Sequence, residues 1–309
     1  MPMTTEGNPT PPLRLPSRSS DAHKGNFGRA LLVGGSRGMS GSIAMTAMAA
    51  LHTGSGLVTA AVPDRCLESV AGFHPALMTL AAADDGNGCF ASDAVAHLAK
   101  QFDGPDVIGC GPGMTTADGS IKIVERLLQT TSVPRVFDAD ALNILALLQS
   151  RDGPCWSRPE SADASPMGQV VLTPHPGEFS RLSGVSPKDR DAQRQAAVEI
   201  ASRTGFVIVL KGGPTVVIGP DEKGHCEQWV CDTGNPGMAT GGSGDVLTGM
   251  IASLMGQGLE PLPAAKLGVW VHGLAGDLAA RNYGMAGMTA KEILESIPEA
   301  MGHAFPDSP

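Results

Sequence analysis

The sequence predicts an α/β protein with three layers, in which helices cover both faces of a mostly parallel β-sheet. Short apolar runs that suit buried strands alternate with segments whose apolar residues recur every three or four positions. The 309 residues are enough to bury one large core. A content of 40 glycines with only 4% aromatic residues indicates many tight turns, as in nucleotide-binding α/β proteins.

The predicted elements follow one another in order along the chain. Apolar runs predict strands at residues 30–33, 57–62, 107–109, 136–137, 170–172, 206–210 and 215–218. Helical spacing predicts helices at residues 43–52, 64–71, 92–101, 118–129, 141–149 and 187–204, and then only helices, at 246–255, 263–281 and 289–301. Because parallel strands all end at the same edge of a sheet, a ligand site is expected beyond those ends.

Two stretches fall outside this alternation. Residues 1–20 are rich in Pro, Ser, Thr and Arg and predict a disordered tail, which leaves one domain at residues 21–305. Residues 150–167 are rich in Pro, Ser and Asp, and regular patterns continue on both sides of them. They therefore predict a surface insertion within the domain rather than a linker between two domains.

The composition narrows the class of partner. The formal net charge is −9 without any run of Lys or Arg, which argues against nucleic acid or an anionic membrane and favours small molecules. The six cysteines form no Cys-x-x-Cys pair and no zinc-binding set, which indicates a reduced, cytoplasmic environment. The sequence also has no apolar run long enough to span a membrane.

The most informative segment is residues 235–245, Asn-Pro-Gly-Met-Ala-Thr-Gly-Gly-Ser-Gly-Asp, which leads into a predicted helix. Its four glycines let backbone N–H groups turn toward one point, and the helix start adds a partial positive charge, as in an anion cradle. A carboxylate there repels phosphate unless it takes a proton from an attacking hydroxyl. Asp245 is therefore a candidate general base; the alternative is that it only caps the helix.

Glycine turns and acidic residues follow three of the other predicted strands. Residues 24–36 end in Gly-Gly-Ser and precede a helix of small residues, and residues 108–113 read Ile-Gly-Cys-Gly-Pro-Gly. Both turns either expose backbone to a ligand or serve close packing. Asp138, Asp140 and Asn143 follow the strand at 136–137. Such paired acids hold Mg²⁺ through water in some phosphate-transfer sites, or cap a helix.

Two further motifs supply basic groups at strand ends. His175 lies between two prolines that fix its backbone, so its imidazole is presented as a candidate ligand group. Glu178 is placed to cap the next helix or to reach a metal. Lys211 precedes Gly212 and Gly213 and suits a phosphate, although neither a Walker loop nor a Rossmann fingerprint is present in its proper context.

Six motifs, at residues 24–36, 111–113, 138–143, 173–178, 211–215 and 235–245, resemble in order and spacing the ADP-dependent NAD(P)H-hydrate dehydratase family. The resemblance covers roughly residues 20–302 and implies a ribokinase-like fold and a hydro-lyase. Such an enzyme repairs NADH or NADPH hydrated at C6 (the 6S forms, NADHX and NADPHX). It phosphorylates the C6 hydroxyl from ADP and eliminates phosphate, which leaves AMP. The resemblance also implies Mg²⁺, a cytoplasmic homotetramer and a separate NAD(P)HX epimerase.

The same resemblance implies a role for individual residues. Asp245 would be the base, within an anion hole that includes Gly242 and Gly244. The nucleotide site would consist of Lys211, Gly212, Gly213, Pro214 and Thr215, together with Gly244. The hydrated dinucleotide would be held by Ser42, Gly113, His175 and Asp245. Supporting contacts would come from Asp138, Asn143 and Asn235, and the metal would be reached by Glu178.

Two other functions compete with this interpretation. An ATP-dependent small-molecule kinase of the same superfold also needs an anion hole and a base, so the cradle with Asp245 does not separate the two enzymes. Residues 173–178 together with 24–36 favour the dehydratase. A non-enzymatic nucleotide sensor would be expected to lack the base or to fill the cradle, and the sequence does neither.

Overall fold

The protein is described by a computed structural model that covers residues 10–152 and 168–305. Nine strands in these residues form one sheet, ordered β3-β2-β1-β4-β5-β6-β7-β8-β9. Their bounds are β1 Arg29–Val33, β2 Leu57–Pro63, β3 Met78–Ala82, β4 Val107–Cys110, β5 Arg135–Phe137, β6 Val170–Leu172, β7 Val207–Leu210, β8 Val216–Pro220 and β9 Cys226–Val230. Only the β7–β8 and β8–β9 pairs are antiparallel. The predicted α/β fold with a mostly parallel sheet is confirmed.

Helices cover both faces of this sheet. They are α1 Ser40–His52, α2 Leu67–Ala71, α3 Ala94–Leu98, α4 Asp118–Gln129, α5 Asp140–Asp152, α6 Pro176–Ser183, α7 Arg190–Thr204, α8 Ser243–Gly256, α9 Pro261–Tyr283 and α10 Ala290–Gly302. Alternate residues of β1 face opposite layers. Ala30 and Leu32 pack with α1 and α8–α10, whereas Leu31 and Val33 pack with α3–α5. Both faces are therefore apolar, as the continuous apolar strands predicted.

Two strands that the sequence pattern did not predict lie at the two edges of the sheet. β3 pairs only with β2, and β9 pairs only with β8. β3 reads Met-Thr-Leu-Ala-Ala, which contains good helix formers, and β9 is only partly buried along its length. An edge strand needs less apolar character than a central one because it lies against a single neighbour, so its sequence signal is weaker.

Residues 10–20 pack against the body of the protein, although the sequence predicts them as part of a disordered tail. The Leu15 side chain is only 5% exposed, and its N–H donates to the Ala304 carbonyl at 2.8 Å. Arg18 donates to the Gly54 carbonyl at 2.8 Å and stacks 3.8 Å from the Phe27 ring centroid. Residues 1–9 of the predicted tail lie outside the described residues.

The predicted insertion at 150–167 is described only at its start. Residues 150–152 form the last part of α5, and residues 153–167 lie outside the part of the chain that the structure describes. Within the described ranges, none of the helices is long and apolar enough to cross a membrane.

Helices α1 and α8 approach each other closely at Gly249 of α8. A Cβ at this position would lie 2.0 Å from the Thr46 carbonyl oxygen of α1, which is backbone and cannot rotate away. Gly249→Ala is therefore expected to force the two helices apart and to lower the free energy of unfolding by about 1–3 kcal/mol. Urea unfolding monitored by circular dichroism measures this. Gly302→Ala is the control, since a Cβ there meets nothing within 4 Å; equal effects in both variants would contradict the packing argument.

Candidate active site

The strand order reverses between β1 and β4, and the glycine turns after these two strands contact each other. The N–H of Gly35, after β1, donates to the carbonyl of Pro112, after β4, at 2.8 Å. Gly113 has φ +66°, and a Cβ there would lie 2.7 Å from the Met39 carbonyl and 3.1 Å from the Ser42 Cβ. In open α/β sheets, ligands bind in the crevice at such a reversal, beyond the carboxyl ends of the strands.

An ion pair links the ends of two strands on one side of this crevice. Lys211, directly after β7, donates from Nζ to Asp138 Oδ1 at 2.7 Å, and Asp138, directly after β5, is 1% exposed. Burial alone would lower the pKa of Lys211, but the charges of Asp138, Glu178 and Asp245 outweigh it, so its pKa is raised. The ammonium group is therefore charged at neutral pH and held among three carboxylates.

A third element, α8, joins this pair through a hydroxyl. Thr248 Oγ1 donates to Asp138 Oδ2 at 2.6 Å and lies 3.1 Å from the carbonyl of Gly244. Both oxygens of Asp138 therefore have a donor, which compensates the cost of burying its charge. A Cβ on Gly244 would lie 3.0 Å from Lys211 Nζ. The glycine-rich turn thus lies directly against the lysine.

Asp245 is half-buried in the first turn of α8, beside this group. Its pKa is raised to about 6, first by burial and then by the charge of Asp138. A hydrogen bond with the Ser42 side chain and the charge of Lys211 act in the opposite direction. A carboxylate with a pKa near the working pH is suited to take up and release a proton.

The glycine-rich segment forms an open turn before α8. Gly242 is the N-cap of the helix with φ +92°, in the left-handed region that glycine tolerates. Gly241 is exposed, and a Cβ there would meet nothing within 4 Å. The free N–H groups at the start of α8 are therefore accessible to an anion, with the helix dipole in the favourable direction.

The helix α9 holds both ends of this segment. At the start of the segment, Asp277 of α9 accepts from the Gly234 N–H and from Asn235 Nδ2, each at 2.9 Å. At the end of the segment, the Ser243 hydroxyl lies 3.3 Å from Nε2 of His272, a buried residue of α9. Burial lowers the pKa of His272 to about 4, so this imidazole is neutral at physiological pH. The two side chains of α9 that hold the glycine-rich segment are therefore a neutral imidazole and a carboxylate whose two oxygens are both hydrogen-bonded.

Both ring nitrogens of His175 have contacts within the protein, and Nε2 lies 3.3 Å from Glu178 Oε1. Its Nδ1 accepts from the N–H groups of Gly177 and Glu178 at 3.0 and 3.2 Å, and Glu178 Oε2 accepts from the His175 N–H at 2.8 Å. This reciprocal capping box begins α6. Since Nδ1 is an acceptor, the neutral ring carries its proton on Nε2. The imidazole is half-exposed, so a ligand can still contact it.

The remaining sequence-predicted residues lie around this centre without touching Asp138. Thr215 Oγ1 donates to the Gly212 carbonyl at 3.0 Å, which shapes the exposed turn of Gly212, Gly213 and Pro214. Asn143 Nδ2 donates to Asp140 at 3.2 Å, and its oxygen accepts from Arg181 at 2.8 Å.

A preformed metal site is not found among the described residues. In them, no group of three His, Cys, Asp or Glu side chains is arranged so that it could hold a metal ion. Asp138 has both oxygens hydrogen-bonded, and Glu178 Oε2 is used by the His175 N–H. These acids therefore form no direct ligand set for Mg²⁺ among the described residues, and the water-mediated contact expected from the sequence stays a prediction. A hard cation with few protein ligands would keep water and phosphate oxygens instead.

Four side chains of this region were not predicted from the sequence. Only Thr248 could have been identified from its local sequence, because it is a polar residue in an otherwise apolar run, one turn after Gly244. Arg190, which donates to the Lys211 carbonyl at 3.0 Å, has no such signal. The same holds for His272 and Asp277, because only the packing of α9 brings them to the turn.

A family model and the similar proteins compared with this chain agree on one family. The Carb_kinase family model, described as NAD(P)H-hydrate dehydratase, matches residues 30–299. An ADP-dependent (S)-NAD(P)H-hydrate dehydratase of Neisseria meningitidis serogroup B is 39% identical over 291 residues, which cover 91% of this chain and 88% of that protein. The bifunctional NAD(P)H-hydrate repair enzyme Nnr of Moorella thermoacetica is 42% identical over 286 residues, 92% of this chain but 51% of the relative. The chain thus spans about half the length of such bifunctional relatives.

One solved structure has a similar fold over nearly the whole length of this chain. It is an ADP/ATP-dependent NAD(P)H-hydrate dehydratase from Bacillus subtilis, co-crystallized with ATP/Mg²⁺. It superposes with a TM-score of 0.73 at 28% identity and covers 93% of each chain.

Proposed function

Because the chain belongs to the NAD(P)H-hydrate dehydratase family, we propose that it converts 6S-hydrated NADH and NADPH back to NADH and NADPH at the expense of ADP. The family predicted from the sequence motifs is thereby confirmed. The observation that carries the proposal is the position of Asp245. Its half-buried carboxylate, with a pKa raised to about 6, lies at the mouth of a glycine cradle and close to Lys211.

The reaction follows from these groups in two steps. Asp245 takes the proton of the C6 hydroxyl while that oxygen attacks the β-phosphorus of ADP, and the bond to the AMP oxygen breaks. In the second step the C6–O bond breaks, inorganic phosphate leaves with the bonding electrons, and the C5 proton passes to the departing phosphate, which restores the dihydropyridine. Phosphate is a far better leaving group than hydroxide. Backbone N–H groups near Gly242 and Gly244, fixed before reaction, stabilise the charge on the transferred group.

The nucleotide is assigned to the Lys211 side of the cradle. The exposed turn at Gly212, Gly213 and Pro214, ending at Thr215, offers backbone groups to its phosphates. Mg²⁺ would accompany these phosphates and supply charge neutralisation, with its ligands mainly from phosphate and water. Glu178 would contact such an ion through water, since its Oε2 already accepts from the backbone.

The hydrated nicotinamide is assigned to the opposite side, at the reversal of strand order. Ser42 bonds to Asp245 and lies against Gly113, so a ring held there is next to the base. The half-exposed His175 imidazole is a further contact. Asn143 and Asn235 support the surrounding turns through Arg181 and Asp277. In this assignment the hydroxyl would lie between the base and the cradle.

The wider setting of the reaction is also part of the proposal. An NAD(P)HX epimerase activity would supply the 6S form from its epimer. Small-residue helices and 14 methionines suit packing between subunits, in a homotetramer. The scattered cysteines, free in the described residues, suit a reduced compartment such as the cytoplasm.

Absorbance at 340 nm with acid-prepared NADH hydrate tests the proposed function. With purified protein, Mg²⁺ and ADP, the absorbance is expected to rise as NADH forms, and to stay constant without nucleotide. Parallel reactions with ATP establish the preferred donor. Consumption of nucleotide on addition of small alcohols or sugars, without any rise at 340 nm from the hydrate, would indicate a small-molecule kinase instead.

The raised pKa of Asp245 leads to a pH prediction. The base must be ionised to accept a proton, so kcat/KM is expected to fall about tenfold per pH unit below about pH 6. Initial rates between pH 5 and 8 at low hydrate concentration measure this limb. The matched variant is Glu178→Gln, because burial raises the pKa of Glu178 to about 7. Disappearance of the limb in Glu178→Gln would assign it to Glu178 and contradict the role of Asp245.

A further inference from the structure

The turn at residues 211–215, to which the nucleotide is assigned, is held at both backbone groups of Lys211. The Lys211 N–H donates to the Pro174 carbonyl at 3.0 Å, which ties the turn to the end of β6. The Lys211 carbonyl accepts from Nη2 of Arg190, in α7, also at 3.0 Å. The next two residues are exposed glycines without a side chain that could fix them. Lys211 is therefore an anchor of this turn.

Arg190 is itself held by a buried side chain. It is the first residue of α7, a helix that Asp189 caps. Its Nη1 donates to Gln193 Oε1 at 2.8 Å, and Gln193 Nε2 donates to the Pro176 carbonyl at 2.8 Å. Gln193 is fully buried, so its amide has no water to replace these two partners. The planar guanidinium thus joins the turn to α6 through two nitrogens with separate partners.

The Arg190 guanidinium packs directly against the glycines of this turn. A Cβ on Gly212 would lie 2.7 Å from Arg190 Nη2. The Lys211 side chain takes no part in this contact, because its Nζ donates inward to the buried Asp138. A change at Arg190 therefore alters the backbone support of the turn and leaves the ion pair of Lys211 in place.

We propose that Arg190 is a positioning residue for the nucleotide, which holds the turn at residues 211–215 in the shape that binds ADP. It thereby raises the affinity for ADP without acting on the chemical step. The proposal rests on the proposed function. Two neighbouring glycines lose much backbone freedom when a ligand orders them, and this cost lowers affinity. A turn that Arg190 has already fixed avoids part of that cost. The hydrated nicotinamide is assigned to the opposite side of the cradle, so its binding does not depend on Arg190.

Steady-state kinetics of Arg190→Met tests this role. The KM for ADP is expected to rise about tenfold, because the Lys211 carbonyl and the Gln193 side-chain oxygen each lose a donor. The kcat at saturating ADP and the KM for the hydrate are expected to stay within about threefold of the wild type. A mere loss of folded enzyme would lower kcat and leave the KM for ADP unchanged, and that result would contradict the proposal. Titration calorimetry with ADP alone measures the same loss of affinity without turnover.

Two further variants separate the position of the guanidinium from its charge. Arg194→Met removes the same charge one turn further along α7. Arg194 is close enough that, after burial, its charge also lowers the pKa of Arg190. In the described ranges it has no hydrogen bond to the turn at residues 211–215, so the KM for ADP is expected to stay within about twofold of the wild type. Arg190→Lys keeps the charge, but one ammonium group does not reproduce the planar fork, so part of the rise in KM is expected to remain.

The outcomes distinguish this role from the proposed function. An unchanged affinity for ADP in Arg190→Met overturns the positioning role. Equal losses in Arg190→Met and Arg194→Met, or full recovery in Arg190→Lys, would assign the effect to charge and overturn it as well. Weaker ADP binding in Arg190→Met, with no ADP-dependent formation of NADH by the wild type, would overturn the proposed function and leave the role of Arg190 standing. Formation of NADH with unchanged ADP affinity in Arg190→Met would do the reverse.

Discussion

Asp245→Asn is expected to lower kcat for ADP-dependent dehydration by 10²–10⁴-fold, about the contribution of a positioned base. Asparagine has nearly the same shape and retains an oxygen that can accept from Ser42, but it cannot take up a proton. Its neutral side chain also removes one negative charge beside the cradle, so affinity for ADP is expected to stay equal or to increase. Initial rates at saturating hydrate and ADP, together with a binding isotherm for ADP, measure the two effects separately.

The control for this variant is Asp118→Asn. Asp118 also lies in the first turn of a helix, α4, where it pairs with Lys122 on the surface. Turnover of Asp118→Asn should equal that of the wild type. The structure gives the N-cap position of α8 to Gly242, without a side-chain cap bond. An Asp245→Asn enzyme that kept its kcat within about tenfold of the wild type would show that Asp245 is not the base.

Lys211→Met is expected to lower the free energy of unfolding by about 3–5 kcal/mol, the usual cost of leaving one member of a buried ion pair without its partner. Asp138 is 1% exposed and, of the side-chain donors in the described part of the chain, would keep only Thr248. Methionine approximates the volume of lysine, so the effect reports the charge rather than a cavity. Urea unfolding at constant pH measures it, and ADP binding is expected to weaken as well.

The loss of unfolding free energy in Lys211→Met is expected to depend on pH. Burial opposes the charge of Lys211, but the carboxylates around it raise the pKa of its ammonium group. A group whose folded-state pKa is raised stabilises the fold below its unfolded pKa and loses that contribution as the pH rises through the folded pKa. The deficit of Lys211→Met should therefore be full at neutral pH and become smaller at strongly alkaline pH, where the wild-type lysine also loses its charge. Lys291→Met, which removes an exposed i,i+4 pair with Glu295, should leave the unfolding midpoint unchanged.

The central strands were predictable because each is buried on both faces. A run such as Val207–Leu210 has to be apolar throughout, and that requirement is visible in one sequence. The edge strands β3 and β9 were missed for the opposite reason, since each has a single neighbouring strand to pair with. Helix α6 was also not predicted as an element. Its eight residues give little periodicity, although the capping box at His175 and Glu178 marks its start.

The candidate site was likewise predictable only in part. Asp138, Lys211 and the segment ending at Asp245 each follow a strand or precede a helix, so their local sequence marks them. What the sequence does not contain is the distance between them. The contact of Lys211 with Asp138 joins residues 73 positions apart, and that of Thr248 with Asp138 joins residues 110 apart. Such pairs follow from the strand order 4-5-6-7 in the sheet, which periodicity alone does not reveal.

The attachment of the glycine-rich segment to α9 has a dynamic consequence. A glycine turn on the surface normally opens at little cost, because few contacts hold it. Here Gly234 and Asn235 are bonded to Asp277, and Thr233 donates to the Trp270 carbonyl at 2.8 Å. Trp270 is fully buried in the middle of the longest helix. The amide hydrogen of Gly234 should thus exchange with solvent more slowly than that of an unattached glycine turn, because its bond to Asp277 has to open first. The anion site is thereby held in shape by the core helix α9.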